Sequence, residues 1–591
     1  MKTGIDMEGP EARRGGWWNE ETRRYPWMAV AGLAWAFAFP FPGMAGLAWL
    51  APGLLFFGAV GLPRAAAFRC GYVAGLVHCL VSLRWLLHIP VPAGAIAGWL
   101  ALAGYLSLFP AAWLACCAGF LRPGPAAEST PPDRVGPLAG VGPSILTPFS
   151  GQPMATAGGG WAPAASDGAW RRRLLAHAAR PWSRRLFVPL AAAAAWVALE
   201  MARARLFSGF PWNVLGVSQW RQVPLIQIAS ATGVHGVSFL VCWTSVALVG
   251  GCAMATLQPR NRWLWIAEAR LPLVVVSVVL GAGFLGIIRD RRADASNPAP
   301  PKIRLALVQP SVPQTLQWDP AEGERSFAKI EALSRDAIAL RPDVLVWPEG
   351  SFGLTDTNYP RITAATKAGG CEWVFGETDS EGFGKERRTY NAAFLVGADG
   401  RLRATYRKRR LVMFGEYVPL ARWLPFLKWL TPIGDGFDPG AAPVPMPMAG
   451  GRGVAAPVIC FEDVFPHGLR EHAGDGVDFL LELTNDGWFS ESGAQWQHAA
   501  NAAFRAVENG LPLVRCTNNG LTCWFDRHGG LRALLGGSAD AVYGPGCLLV
   551  DVPCERLHRA ETFYHRHGDV FGWGCVGYAC LAVWRTRRRG T

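Results

Sequence analysis

Residues 27–62 are almost uncharged. The run is too long for one bilayer-crossing helix, which needs about 20 apolar residues. Pro40-Phe41-Pro42-Gly43 breaks it in two, so it reads as a helical hairpin. Further apolar runs follow at 65–87, 93–121, 186–206, 233–254, 271–288 and, shorter, at 570–584. A chain with so many runs of that length is a polytopic membrane protein before it is anything else. Hydrophobic residues at 51% and charged ones at 17%, with 27 Trp and 30 Phe, agree.

The charges between the runs orient them. With the N-terminal tail inside, the inner loops carry Arg64 and Arg69, then the Arg-rich end of a Pro/Gly/Ala-rich insert, then Arg260 and Arg262. Each fits the excess of Lys and Arg on the cytoplasmic side. An eighth span returns the Arg585–Arg589 cluster to that side, so everything between spans seven and eight is expected outside the cytoplasm. The formal charge of +13 is thus read as topology and anionic-lipid contact, not nucleic-acid binding, for which no motif is present. The expected division is a cytoplasmic tail (1–25), a seven-helix membrane domain (26–289) with a flexible cytoplasmic insert (122–183), an α/β domain (300–560), a C-terminal transmembrane helix (568–585) and a short tail (586–591). Arg84 is expected to snorkel to the interface.

Within 300–560, strand-length apolar runs recur at 303–308, 344–347, 392–396, 454–459, 479–483 and 511–514, with helical patterns at 326–340 and 497–508. One run ends abruptly in Cys460-Phe461-Glu462-Asp463. Cysteine is a competent nucleophile near neutral pH when a neighbour takes its proton. A second strand ends at Trp347-Pro348-Glu349, which puts a carboxylate at an apolar sheet rim, where a raised pKa suits a general base. A third stretch, 406–419, sets Lys408 among basic residues directly before an apolar segment carrying Glu416. His565-x-His567 lacks the partners of a metal site, and the 14 cysteines show no paired metal-binding spacing. Cys460 with His498 is an alternative, papain-like pairing, but Glu349 and Lys408 account for the same roles.

Glu, Lys and Cys in that order on three rim elements is the arrangement of the nitrilase-like carbon–nitrogen hydrolase superfamily. Joined to seven preceding spans and one following, the chain resembles the apolipoprotein N-acyltransferase family. Phe210-Pro211-Trp212-Asn213, Val308-Gln309-Pro310, Pro313-Gln314, Tyr390-Asn391, Thr484-Asn485-Asp486-Gly487-Trp488-Phe489, Gln497-His498 with Arg505 and Glu508, and Thr517-Asn518-Asn519-Gly520 extend the resemblance. Met413 stands where the family more often has proline, and the 122–183 insert departs from its usual length.

The resemblance implies an αββα sandwich outside the cytoplasm, above the outer leaflet of the bacterial inner membrane. It implies that Glu349 is the base, Lys408 the oxyanion partner and Cys460 the nucleophile, which takes an acyl chain from a phospholipid as a thioester. The chain then passes to the α-amine of the N-terminal diacylglyceryl cysteine of an apolipoprotein. Glu416 and Glu462 take supporting roles, and Trp318, Tyr417, Trp488 and Asn391 line the substrate site. The apolar segment 417–430 is expected to dip into the leaflet. No cofactor or metal is expected, and the chain is expected to act as a monomer. The alternative is a membrane-tethered nitrilase-type amidase or hydrolase with water as the acceptor.

Overall fold

The computed structural model describes residues 21–120, 171, 174–175, 177–260, 267–296, 298–313, 320–350, 358–421, 423–424, 427, 436–537, 542–555 and 561–588. Trp318, the first 20 residues and most of the expected insert lie outside them.

Five helices among the described residues are long and apolar enough to cross a membrane: Arg64–Ser82, Pro92–Phe120, a stretch within Trp182–Arg203, Val234–Leu257 and Arg270–Ser296. The expected N-terminal hairpin is helical but short: Tyr25–Phe37 has 13 residues, and the apolar helix Ala45–Gly58 is also below spanning length. The C-terminal run forms Val570–Arg588, whose last turn carries Arg585, Arg587 and Arg588. The last of the five runs on to Ser296, beyond the apolar run that announced it. Arg84 is exposed, at the start of a 3-10 turn after the first of them. His78 is buried and stacks on Trp35, with ring centroids 3.6 Å apart.

The rest of the described residues fold on two six-stranded sheets. The first has the order β12 (Gly546–Pro553), β1 (Lys302–Gln309), β2, β3 (Glu372–Glu381), β4, β5, and the second β11 (Leu531–Leu534), β10 (Cys523–Phe525), β9, β8, β7, β6 (Met446–Met448). The strands that concern the site are β2 (Val344–Val346), β4 (Arg388–Val396), β5 (Leu402–Arg407), β7 (Gly453–Ile459), β8 (Phe479–Thr484) and β9 (Leu513–Thr517). Strands β7, β8 and β9 run parallel and are buried on both faces, which is why they read as continuous apolar runs.

Alternation along those strands sorts their side chains into two cores. Ala455, Ile459, Leu481 and Leu483 point between the sheets, against Leu305, Val344 and Leu395 of the first sheet. Ala456, Val458, Leu480 and Leu513 point the other way, onto the helix Ala494–Asn509. That second core does not stop at the helix. It continues without a break into Met28, Trp113, Trp196, Val241 and Cys575 of the apolar helices. The outer face of the first sheet packs instead on Pro320–Ala339 and Asn358–Gly369 through Phe327, Ile330 and Ile362.

One residue joins the two parts by polar contacts. The Gln497 amide oxygen accepts from Trp85 Nε1 (3.2 Å), Trp212 Nε1 (2.9 Å) and Asn213 Nδ2 (3.1 Å). Its nitrogen donates to the carbonyls of Pro40 (2.6 Å) and Ser82 (3.2 Å). Three separate turns at the ends of apolar helices thereby hang on one buried side chain.

Candidate active site

Glu349 follows β2, Lys408 follows β5 and Cys460 follows β7 directly. In α/β sheets the carboxyl ends of parallel strands are where ligands sit, because the backbone there opens into loops that converge. Cys460 is a non-glycine residue at φ +50°, the first residue of the 3-10 turn Cys460–Val464. The strand ends in a sharp left-handed step that costs about 1–3 kcal/mol and turns the chain at the thiol.

Lys408 is 1% exposed, and its Nζ lies 2.8 Å from Glu416 Oε1 and 3.3 Å from Glu349 Oε1. Asn391, on β4, donates to the same two oxygens, at 2.7 Å to Glu349 and 2.8 Å to Glu416. Expected at the substrate, it stands between the two carboxylates. The remaining oxygens are held by backbone: Asn485 N–H to Glu349 Oε2 at 3.0 Å, Val412 N–H to Glu416 Oε2 at 2.8 Å. The Lys408 N–H also extends the β4–β5 ladder to the Asn391 carbonyl at 2.8 Å.

Burial pushes the Glu349 carboxyl above the usual range, and the like charge of Glu416 adds to this while Lys408 opposes it. Burial works against the Lys408 charge, but Glu349, Glu416 and Cys460 hold its pKa above the ordinary value. The Cys460 thiol is pushed well up by burial and by Glu349, with Lys408 pulling the other way. At rest the sulfur is therefore a thiol. A thiolate forms only if a base takes the proton, and Glu349, whose charge acts on the thiol, is a buried carboxylate with raised proton affinity.

Glu462 anchors the turn. Its carboxylate accepts from Ile459 N–H (2.9 Å), Arg409 N–H (2.8 Å), Arg410 N–H (3.1 Å) and the Tyr406 hydroxyl (2.8 Å). It thus ties the cysteine turn to the backbone that follows Lys408. Trp488 is half-buried on the 3-10 turn Asp486–Phe489. The Tyr417 hydroxyl donates to Ser208 Oγ at 3.1 Å, bringing the segment after Glu416 beside the 207–208 loop. Phe207 (76%), Leu420 (63%) and Trp423 (78%) are highly exposed there. Of the expected arm, residues 422, 425, 426 and 428–430 lie outside the described residues.

A second buried cluster stands behind the site. Asp463, Glu482, Asp486, His498 and Arg515 are all at most 1% exposed. Glu482 and Arg515 are cross-strand partners on β8 and β9 and are ion-paired. His498 lies 2.9 Å from Asp463 and 2.8 Å from Asp486, so it serves this cluster rather than forming a papain-like pair with Cys460. Asp463, Glu482 and His498 bring possible metal-ligand atoms within 4.8 Å of one another. The Arg515 guanidinium already supplies positive charge against Glu482 and Asp486, which suits an ion-pair network better than a cation. Sequence reading missed this cluster's connectivity. The one available signal was Glu482 and Arg515 as lone charges inside apolar strands.

Residues 148–247 match the family model for the apolipoprotein N-acyltransferase N-terminal domain, and residues 304–545 match that for carbon-nitrogen hydrolase. The chain is 33% identical over 577 residues to an apolipoprotein N-acyltransferase of Geobacter metallireducens, covering 96% of each. It is 32% identical over 374 residues to one of Brucella melitensis, covering 61% of this chain and 67% of that one. Among solved structures, an amidase from Nesterenkonia sp. aligns with 45% of this chain and 95% of its own at 22% identity, with a TM-score of 0.33.

Proposed function

We infer the chemistry of this site from the premise that the chain belongs to the apolipoprotein N-acyltransferase family. Its reaction is N-acylation of an apolipoprotein. The acyl donor is a membrane phospholipid, and the acceptor is the α-amine of an N-terminal diacylglyceryl cysteine. Glu349 takes the proton of Cys460, and the sulfur attacks the donor's ester carbonyl. The tetrahedral oxyanion forms beside the Lys408 ammonium, which is held charged in a buried site where such stabilisation is strongest. Collapse expels lysophospholipid, protonated by Glu349, and leaves a thioester. The acceptor amine then attacks that thioester, Glu349 removes its proton, the sulfur leaves, and the amide is complete. A covalent intermediate lets two bulky lipids use one site in turn.

The observation that carries this reading is the sharing of Lys408 by two carboxylates, 2.8 and 3.3 Å from its nitrogen, next to a thiol at a left-handed strand end. Glu416 holds Lys408, Glu462 holds the cysteine turn, and Asn391 spaces the carboxylates. Trp488 and Tyr417 border the acyl path. Exposed Phe207, Leu420 and Trp423 suit contact with the leaflet from which the ester rises. Lifting an ester to such a site costs less than extracting a chain at about 0.8 kcal/mol per CH₂. We place residues 300–560 outside the inner membrane, with the helices of 26–289 and 568–585 embedded in it and the insert 122–183 on the cytoplasmic side. We take the unit to be a monomer.

The test is intact-mass measurement of the protein after mixing with a phospholipid. An acyl-sized adduct on Cys460, absent in Glu349→Gln and discharged by a diacylglyceryl peptide, is the expected result. Discharge by water at the same rate with or without that peptide indicates a hydrolase. No adduct in folded protein overturns the reading.

A further inference from the structure

The cysteine turn and the loop that holds Glu349 are joined through an imidazole, with the Arg515 guanidinium beside it reaching the same two aspartates. Cys460 and Asp463 lie on one 3-10 turn. Asn485, whose N–H holds Glu349 Oε2 at 3.0 Å, is followed directly by Asp486. His498, on the helix above, reaches Asp463 through Nε2 at 2.9 Å and Asp486 through Nδ1 at 2.8 Å. We propose that His498 is a positioning residue: clamped between Asp463 and Asp486, it sets the spacing between the nucleophile's turn and the backbone donor that aims the base. The inference rests on the reading of Glu349 and Cys460 given above.

Nδ1 is hydrogen-bonded to Asp486, and Nε2 faces Asp463 at ion-pair distance, so a carboxylate stands at each ring nitrogen. That surrounding favours the imidazolium, which carries an N–H at both positions. Burial opposes that charge, but Asp463 and Asp486 overcome it against Arg515, and the His498 pKa is pushed up to about 10. The groups around the ring are Asp463 on the cysteine turn, Glu482 on β8, Asp486 on the following loop, Arg515 on β9 and the Trp212 ring at 5.3 Å. Burial first, then Asp463 and Asp486, raises Glu482 to about 8 while Arg515 opposes. Asp463 and Asp486 face His498 and Arg515, and Glu482 pairs with Arg515. The ring has little freedom to tilt, because Gln497 beside it is pinned at both ends of its amide.

The experiment compares His498→Gln and Asp463→Asn in the full-length membrane protein. It follows thioester formation from phospholipid, alkylation of Cys460 by iodoacetamide, and the KM for phospholipid. A misplacement of about 1 Å costs about 10²-fold in rate. Both variants are expected to lose on that order in thioester formation and in Cys460 alkylation, with KM unchanged. The double variant is expected to lose no more than either alone, because the pair acts as a unit. Wild-type alkylation rates in either folded variant overturn the proposal, as does stoichiometric divalent metal in the purified protein that His498→Gln removes. If His498→Gln does not fold, Asp463→Asn decides by the same readouts. If wild-type protein forms no thioester, the catalytic reading fails, and the alkylation comparison still decides whether His498 positions the turn.

Discussion

Trp212 donates its indole N–H to Gln497 across 2.9 Å, at the level where the apolar helices end and the sheets begin. Replacing Gln497 by Met, close in volume, strands two indole N–H groups, one amide and two carbonyls. Each buried unmet group costs about 1–3 kcal/mol. We predict a loss of about 3 kcal/mol or more, seen as a lower midpoint of thermal unfolding in detergent. An unchanged midpoint means that water replaces the amide.

Lys408→Met removes the cation from between Glu349 and Glu416. Two carboxylates then face each other in a buried space, so one of them holds a proton and the oxyanion loses its partner. Single-turnover thioester formation is predicted to fall by at least about 10²-fold. Rapid quench and intact mass check it. A fall below tenfold removes Lys408 from the mechanism.

The pH profile follows from the direction of the shifts. The base works as a carboxylate, and its raised pKa means that activity fails as pH falls through a value above the ordinary Glu range of about 4.3. Glu416→Gln removes one of the causes, so the acid limb is predicted to move to lower pH. Lys408 is shifted upward, so no alkaline loss from this group is expected below its ordinary value of about 10.4. Thioester formation rates from pH 4 to 10 read both limbs.

Arg515→Met leaves Glu482 without its ion-pair partner and Asp463 and Asp486 with only His498 against them. Breaking a buried pair from one side costs about 3–5 kcal/mol. Adding Glu482→Gln is predicted to recover part of that. Thermal unfolding of the single and double variants gives the coupling directly.

Sidedness has its own test. Arg401 is exposed on the turn between β4 and β5. In a background stripped of reactive cysteines, Arg401→Cys in cells with a permeabilised outer membrane is predicted to react with an impermeant maleimide. Labelling only after the inner membrane is lysed reverses the topology.

Much of this site could be read from residue order. Strand-length runs ending in Glu349 and Cys460 located two corners of it, because parallel strands buried on both faces announce themselves as unbroken apolar runs. Lys408 needed the family resemblance, since one lysine among four basic residues looks like any solvated cluster. The structure buries it to 1% while leaving its neighbours Arg409 and Arg410 less covered. Strands β10 (Cys523–Phe525), β11 (Leu531–Leu534) and β12 (Gly546–Pro553) carried too little pattern to be seen. Their pairing is decided by neighbours far away in sequence, as β12 shows by running antiparallel to β1. The His498 cluster was illegible for the same reason. Its members come from five elements, and no spacing along the chain predicts that they meet.

The core shared by the second sheet and the apolar helices has a consequence for how substrates arrive. Trp496 and Phe504 of one helix pack in the same cluster as Trp113 and Val241, and Gln497 adds polar contacts at the same junction. A core that is continuous across the described residues favours one height and tilt for the catalytic rim. On the proposed reaction, donor and acceptor then reach the rim by diffusing in the plane of the bilayer, and encounter is a two-dimensional search. Its rate is governed by membrane fluidity and by the surface density of donor and acceptor, rather than by their bulk concentrations.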